Sequence, residues 1–317
     1  MNLSGDPWIP ILRLDGIRET VGLDKLFLQA PRFRDLAVGP IQRIALMRLL
    51  ICIAQAALDG PSDIKEWKAC AEVLGEAAHL YLERYCDRFE LFAGPQPFLR
   101  LPGIEHNRNA RVDKLDFDLA SGQNPTLFDR EALTGDRTHL PPAMALLLLT
   151  YQCFSPGGTI GTTLWDGAET VRYCEQAPGS EGSPLHTLIQ GDTLLETIRL
   201  NLVPKDRLKR LGIEFGRPIW DRYPRNPAEV TREMTCSYLG RLVPVSRAIV
   251  IEDGKPYCTL AAGITYPKLP SGRDPLLTVL IRKGKGGQEI PGYLRCDPGR
   301  HSWRDLGSIL SLSRTLD

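Results

Sequence analysis

The chain has 317 residues, of which 43% are hydrophobic and 24% charged, a composition typical of a globular protein with one large domain or two ordinary ones. It excludes an intrinsically disordered chain and a miniature held together by disulfides. Because 39 basic residues stand against 38 acidic ones, the formal charge of +1 excludes a protein that coats nucleic acid through its overall charge. Any site for a polyanion must therefore be local.

The chain contains eight cysteines, and none of them forms the C-x-x-C pair that is usual in structural zinc sites. The sequence predicts neither a zinc ribbon nor a cofactor site. It begins without the charged and apolar segments of a secretory leader, so we expect a cytoplasmic protein. In that compartment the thiols stay reduced, and we expect each cysteine to be a small buried residue.

The first element in chain order is an extended segment at residues 6–11 that continues to a turn at Asp15-Gly16. Pro7 and Pro10 cannot donate hydrogen bonds to a neighbouring strand. We therefore predict a strand at the edge of a sheet.

Four helices are expected in the middle of the chain. Residues 40–58 are apolar at helical spacing and predict a buried helix, too tightly bracketed by Gly and Pro for a membrane span. Capping-box spacing after Asp63 opens a second helix over 63–85. Residues Pro141–Phe154 predict a third, nearly all apolar helix, and residues 193–202 a fourth, short one.

The last third of the chain changes to a strand pattern. Residues 242–251 and 257–264 are rich in β-branched side chains and flank an Asp-Gly turn, which predicts a hairpin. Residues 276–281 predict a further strand. Together these elements predict an α/β fold of the α+β type, one large domain with a helix-rich part at 1–160 and a sheet-rich part at 161–317. We expect the helical part to pack on one twisted, mostly antiparallel sheet.

Motifs for catalysis are missing from the sequence. It lacks a G-x-x-x-x-G-K-[ST] loop, a G-x-S-x-G elbow, an H-E-x-x-H pair and an adjacent His-Asp pair. Asp113, Asp116 and Asp118 offer the oxygen ligands that a hard cation needs, or they form a solvated face. We predict a protein that is not an enzyme and binds no metal; a metal-dependent nuclease using these three carboxylates is the alternative.

Binding has better candidates, beginning with the glycine-rich stretch after the third helix. Because glycine has no Cβ, backbone at Gly157, Gly158 and Gly161, with Thr159 and Ile160 between them, can come into contact with another surface. The alternative is that the glycines only cap the end of the helix.

Exposed cations and an apolar loop add to the binding hypothesis. Three lysines lie in predicted turns, Lys255 at a hairpin tip and Lys283 and Lys285 in a glycine-rich turn. They have the charge and reach to contact phosphate, or they are ordinary surface lysines. Leu127 and Phe128 lie in an otherwise polar loop, where they stack on an unpaired base or tuck into the protein's own core.

Taken in order, these features resemble the large subunit, CasA type, of the type I-E CRISPR surveillance complex called Cascade. The resemblance covers almost the whole chain. It rests on Asp6-Pro7-Trp8-Ile9-Pro10, the apolar helix at 40–58, Asn124-Pro125-Thr126-Leu127-Phe128-Asp129, the segment 152–161, Leu200-Asn201-Leu202 and Ser302-Trp303-Arg304-Asp305-Leu306.

The resemblance implies a non-catalytic recognition subunit in a ribonucleoprotein complex of antiviral defence. Its implied partners are the guide RNA, double-stranded target DNA, and the backbone, handle-binding and small subunits. No membrane is among them. The helicase-nuclease effector is a further family partner. In the family a loop docks on the 5′ handle of the guide RNA; the matching residues here are Asn124, Thr126, Leu127, Phe128 and Asp129.

The resemblance also implies how DNA is read. A glycine loop matching residues 157–161, together with a lysine, enters the minor groove of the short flanking motif called the PAM. Lys255 is the best match for that lysine and Lys268 the next. Minor-groove patterns are degenerate, so such a reader accepts several related motifs. By analogy with other RNA-guided effectors, base pairing reads the long target sequence.

This chain departs from the family in three ways. Some members carry two C-x-x-C knuckles that bind zinc. This sequence has no such pair, so we expect no zinc site in it. Members are longer, and we expect their C-terminal four-helix bundle to be absent. A glutamine wedge that splits the duplex lies beyond residue 317 in the family, and Gln288 does not match it. For this chain the resemblance therefore implies duplex melting and docking of the effector and small subunits only where another chain supplies the bundle. The remaining alternative is a structural subunit that holds the RNA handle without reading DNA.

Overall fold

Two apolar helices form the centre of the protein. The computed structural model describes residues 1–119, 138–182, 184–269, 274–283, 288–295 and 299. The α-helices are α1 (Leu23–Gln29), α2 (Pro40–Ala57), α3 (Ile64–Ala69), α4 (Leu74–Arg84), α5 (Pro141–Phe154), α6 (Leu194–Leu200), α7 (Lys205–Arg210), α8 (Arg232–Cys236) and α9 (Tyr238–Leu242). The strands are β1 (Ile9–Arg13), β2 (Arg18–Val21), β3 (Phe33–Leu36), β4 (Ala110–Arg111), β5 (Gly158–Thr159), β6 (Leu164–Trp165), β7 (Ala168–Glu169), β8 (Tyr173–Cys174), β9 (Arg247–Val250), β10 (Tyr257–Ala262), β11 (Val279–Lys283) and β12 (Glu289–Tyr293).

Helices α2 and α5 pack against each other, and α2 also contacts α4, α6 and α9. Residues 45–55 of α2 and 144–153 of α5 are all buried. A helix that is apolar on all sides belongs in a core, so both sequence predictions are confirmed. In the described part of the chain, α2 is long and apolar enough to cross a membrane by length and composition, a test that buried core helices also pass.

The second predicted helix is interrupted. The expected cap is present, because the Asp63 carboxylate accepts hydrogen bonds from the backbone N–H of Lys65 and Glu66 at 2.8 and 3.0 Å. A short 3₁₀ turn at Cys70–Glu72 then separates α3 from α4, so one continuous helix over 63–85 was wrong. After this break α4 lies so close to α1 that a Cβ at Gly75 would stand 3.0 Å from the Phe27 carbonyl oxygen.

The N-terminal strand is central in its sheet, so the edge-strand prediction was wrong. The strand order is β2-β1-β3, with both pairings antiparallel. Pro10 is tolerated because pairing with β3 begins one residue later, at Ile11 opposite Leu36. The Pro10 carbonyl still accepts a hydrogen bond from the Ala37 N–H at 2.9 Å.

The class, a mixed α/β fold with antiparallel strand pairs, is confirmed, whereas the expectation of one sheet built mainly after residue 160 was wrong. Within the described residues the strands form separate small sheets, β2-β1-β3, β4-β10-β9, β11-β12, β5-β8 and β6-β7. The predicted hairpin is β9-β10, with Thr259 opposite Val250 and a turn at Gly254. Short strands suffice because the helices supply more of the described core than the strands do.

The cysteines are reduced in the described part of the chain, and most are buried. Cys86 is exposed, because it begins a surface 3₁₀ turn just after α4, and the prediction that it belongs to the core was wrong. Cys236 is half-buried. Cys296 lies outside the described residues.

Candidate functional site

The glycine segment, defined as residues 157–161, leaves the end of α5 as extended backbone. The helix ends at Phe154, and its C-cap is Ser155, with φ −55° and ψ 136°. Pro156 follows and cannot continue the helix. The glycines therefore do not cap α5, and that alternative was wrong.

Neighbouring backbone holds the glycine segment on both sides. Gly158 and Thr159 pair with β8, and the Ile160 N–H donates to the Arg172 carbonyl at 3.0 Å. On the other side Gly161 forms a parallel bridge to Ala261 of β10. The segment is thus held in place on both sides by neighbouring backbone.

The three glycines have different structural roles. A Cβ at Gly161 would stand 2.6 Å from the Asn109 amide nitrogen, and one at Gly157 would stand 3.0 Å from the Gln176 backbone nitrogen. Both positions therefore need glycine for packing. Gly158 has φ +132°, which favours glycine, but the space where a Cβ would point is open. The backbone at Gly158 can consequently be approached from outside.

A buried polar cluster fixes the start of the segment. The Gln152 side chain accepts from the Arg247 N–H at 2.9 Å and donates to the Arg247 carbonyl at 2.8 Å. The Arg247 guanidinium donates to the carbonyls of Pro156 at 2.6 Å and Glu175 at 2.8 Å. Burial lowers the pKa of Arg247 below its ordinary value. The guanidinium thus links both flanks of the β5-β8 pair to β9.

The glycine segment forms one wall of a cleft of about 230 Å³. The other walls of the cleft are formed by the stretch around β4, by α5 and by β10. Its lining residues are Asn109, Ala110, Lys114, Tyr151, Pro156, Gly157, Gly158, Thr159, Ile160, Gly161, Cys174 and Leu260.

Lys114 is the cation of this cleft. It is exposed and has no ion pair within the described ranges. The neighbouring Asp113 carboxylate is partnered by Arg111 at 2.8 Å and His139 at 3.1 Å. Because Asp113 is paired with Arg111, the ammonium of Lys114 is left as a positive charge at the cleft. Sequence reasoning missed Lys114, since it lies among acidic residues and the cleft forms only after folding.

The two lysines chosen from the sequence lie elsewhere. Lys255 is exposed at the tip of the β9-β10 hairpin, and it does not line the cleft. It precedes Ala261, the residue that bridges to Gly161, by six positions. Lys268 is exposed beyond β10, next to Pro267, and does not line the cleft either. Their contact with DNA stays a prediction.

The predicted RNA-binding residues Asn124, Thr126, Leu127, Phe128 and Asp129 lie outside the described residues. So does Lys285, whereas Lys283 ends β11. Their role in RNA binding also stays a prediction.

The acidic candidates for a metal site make local contacts. Asp116 accepts a hydrogen bond from the Asp118 N–H at 2.9 Å, and both oxygens of Asp113 are engaged by Arg111 and His139. Across the described stretches, no group of three His, Cys, Asp or Glu side chains comes together in a way that could hold a metal ion. The nuclease alternative therefore gains no support from this geometry.

Solved structures share the fold. The structure of Thermus thermophilus CasA (Cse1) superimposes with a TM-score of 0.76 at 26% identity, over 99% of this chain and 62% of that one. Thermobifida fusca Cse1 gives a TM-score of 0.77 at 25% identity, over 97% of this chain and 60% of that one. A chain of a CRISPR RNA-guided surveillance complex, 20% identical, has the same fold with a TM-score of 0.74.

Sequence comparison agrees with the structural likeness. The CRISPR-associated protein CasA/Cse1 of Thermus thermophilus is 31% identical over 324 residues, which cover 98% of this chain and 60% of the relative. The chain thus spans between 60% and 62% of the length of these Thermus relatives. The family model described as CRISPR-associated protein Cse1 matches residues 2–316. The chain therefore belongs to the CRISPR-associated Cse1 family.

Proposed function

We propose that this chain is a non-catalytic large subunit of a CRISPR RNA-guided surveillance complex and that its glycine segment contacts duplex DNA at the PAM. Membership of the Cse1 family supports the first part. The observation that carries the second is the glycine segment itself, held by β8 and β10 while the space beside Gly158 stays open.

The chemistry of the minor groove explains why such a segment suits it. The groove is about 6 Å wide, so bulky side chains collide with its walls, whereas bare backbone can reach the base edges. Those edges present acceptors at A·T pairs and an added amino donor at G·C pairs. A backbone reader therefore accepts several related motifs and rejects others.

The proposed partners follow from the family. The guide RNA would contact residues 124–129 through its 5′ handle, and the backbone, handle-binding and small subunits would assemble around this chain. The family relatives are longer than the chain, so recruitment of a helicase-nuclease effector belongs to the proposal only for an assembly that supplies the remaining part. The assembly would act in the cytoplasm.

The experiment that tests this function is affinity purification of the tagged chain from cells that express the other subunits and a guide. We expect guide RNA and several subunits to copurify. The purified assembly should then bind a duplex with a functional PAM more tightly than the same duplex with a scrambled PAM. Equal affinity for the two duplexes would favour the alternative of a handle-binding subunit that does not read DNA.

Lys255→Ala tests the contact predicted from the sequence. If the Lys255 ammonium neutralises a phosphate, its removal lowers the slope of log affinity against log salt concentration by about one counterion. The measurement is duplex binding by the assembled complex over a series of salt concentrations. An unchanged slope would assign Lys255 to the ordinary protein surface.

A further inference from the structure

We propose that the cleft beside the glycine segment is a phosphate-binding subsite for duplex DNA, in which Lys114 and Tyr151 contact phosphodiester oxygens. This inference rests on the proposed function, because it assumes that the glycine segment approaches a duplex. It assigns the electrostatic contact to a residue of the cleft itself.

The geometry of a duplex places phosphates beside any segment that enters the minor groove. The phosphate backbones form both walls of this narrow groove. Side chains next to the glycine segment therefore meet phosphates, while the glycines face the bases. Lys114 lines the same cleft as Gly158, is exposed and carries a charge that no described residue neutralises.

Tyr151 adds a neutral hydrogen-bond donor at the same cleft. The residue is only 8% exposed, and its ring stacks on Phe117 with the centroids 5.5 Å apart. Its hydroxyl makes no hydrogen bond to another described residue, and the side chain lines the cleft. Burial raises the pKa of Tyr151, so the hydroxyl keeps its proton near neutral pH. A fixed donor of this kind suits an anionic oxygen.

The amide side chain that lines the cleft is already engaged. The Asn109 side chain donates to the Thr162 carbonyl at 3.0 Å and accepts from the Leu260 N–H at 2.8 Å. It therefore shapes the cleft and offers little to a ligand. Besides the Thr159 hydroxyl of the glycine segment, this leaves Lys114 and Tyr151 as side-chain donors for an incoming oxygen.

The size of the cleft selects among phosphate ligands. At about 230 Å³ it is smaller than the pockets of about 300–1,000 Å³ that enclose small-molecule ligands. It fits one phosphate group of a polymer whose remainder lies outside. We commit to duplex DNA, because the glycine segment beside the cleft suits a minor groove.

The test is duplex binding by the assembled complex over a salt series, with functional and scrambled PAM duplexes and a single-stranded RNA of equal length. Lys114→Ala should weaken binding of both duplexes roughly tenfold near 0.1 M salt. It should also lower the slope of log affinity against log salt concentration by about one counterion. Lys114→Arg should retain the slope. Lys68→Ala, which removes an exposed lysine of α3, should change neither quantity.

Tyr151→Phe should weaken both duplexes about tenfold without changing the slope, because it removes a neutral donor. Phenylalanine keeps the ring that stacks on Phe117, so the fold should be unaffected. The subsite is overturned if Lys114→Ala leaves the salt slope of duplex binding unchanged. It is also overturned if the variants lose affinity only for single-stranded RNA. If the wild type binds the two duplexes equally and its salt slope still depends on Lys114, the phosphate subsite stands and only PAM reading is refuted. Absence of duplex binding by the wild type refutes both.

Discussion

Gly158→Asp is expected to weaken binding of a duplex with a functional PAM by on the order of 10²- to 10³-fold. The backbone at Gly158 is open to approach, so a carboxylate there would stand among the phosphates of the groove. Repulsion between two charges at 4 Å is about 4 kcal/mol near a protein surface, and each 1.4 kcal/mol is a factor of ten. The measurement is the dissociation constant of the assembled complex for this duplex. Copurification of guide RNA and subunits should be nearly unchanged.

Two control variants separate charge from backbone strain. Gly158→Ala imposes the same strain at φ +132° without a charge, and its loss of affinity should be much smaller. Thr159→Asp places a carboxylate at an exposed strand position that needs no special conformation, with Thr159→Asn as its uncharged match. Both aspartate variants should lose binding, and both neutral variants should largely keep it.

Three outcomes would contradict this prediction in different ways. If Gly158→Ala loses as much as Gly158→Asp, the backbone conformation matters and close approach of DNA does not. If neither aspartate variant loses affinity, the glycine segment does not contact the duplex, and the proposed function is wrong in its central part. If copurification fails, the segment supports assembly.

Features set by nearby residues were predictable from the sequence. The cap at Asp63 depends on residues within one helical turn, and the buried faces of α2 and α5 follow from apolar side chains along the whole helix. The glycine segment was also identified, because a glycine-rich stretch after an apolar helix is a local pattern. For these features the sequence carries the physical cause directly.

Features set by distant partners were not predictable. Lys114 and Gly158 come to one cleft only because β4 pairs with β10 and the glycine segment pairs with β8 and β10. The position of β1 between β2 and β3 likewise depends on where pairing begins after Pro10. Neither arrangement has a local signal, since each results from pairing between distant segments.

The same limit applies to Arg48, which interrupts the apolar run of α2. Its side chain is fully buried and donates to the Leu242 and Arg241 carbonyls, both at 2.8 Å. It also donates to the Asp274 carboxylate at 2.9 Å. Asp274 is 7% exposed, and its second oxygen accepts from the Leu276 N–H at 3.0 Å. This ion pair ties the chain that leads into β11 to the central helix.

Asp274→Ala is expected to lower the free energy of unfolding by about 3–5 kcal/mol, because it leaves the Arg48 guanidinium buried without its counter-charge. The measurement is equilibrium denaturation of the purified chain. Asp206→Ala is the matched control, since it breaks the exposed pair with Arg210 of α7, for which about 1 kcal/mol or less is expected. A loss as small as that of the control would contradict a structural role for the Arg48–Asp274 pair.

Replacing both partners distinguishes an unpaired charge from lost packing. Arg48→Met combined with Asp274→Ala should be more stable than Asp274→Ala alone, because no buried charge is left without a partner. Burial alone would raise the pKa of Asp274, but the charge and hydrogen bond of Arg48 hold that pKa below its ordinary value. The pair's contribution is therefore complete above the unfolded-state pKa of about 3.9 and is lost as pH falls through the lowered pKa. The stability difference between wild type and Asp274→Ala should accordingly shrink at acid pH, and a difference that stays constant would assign the effect to packing.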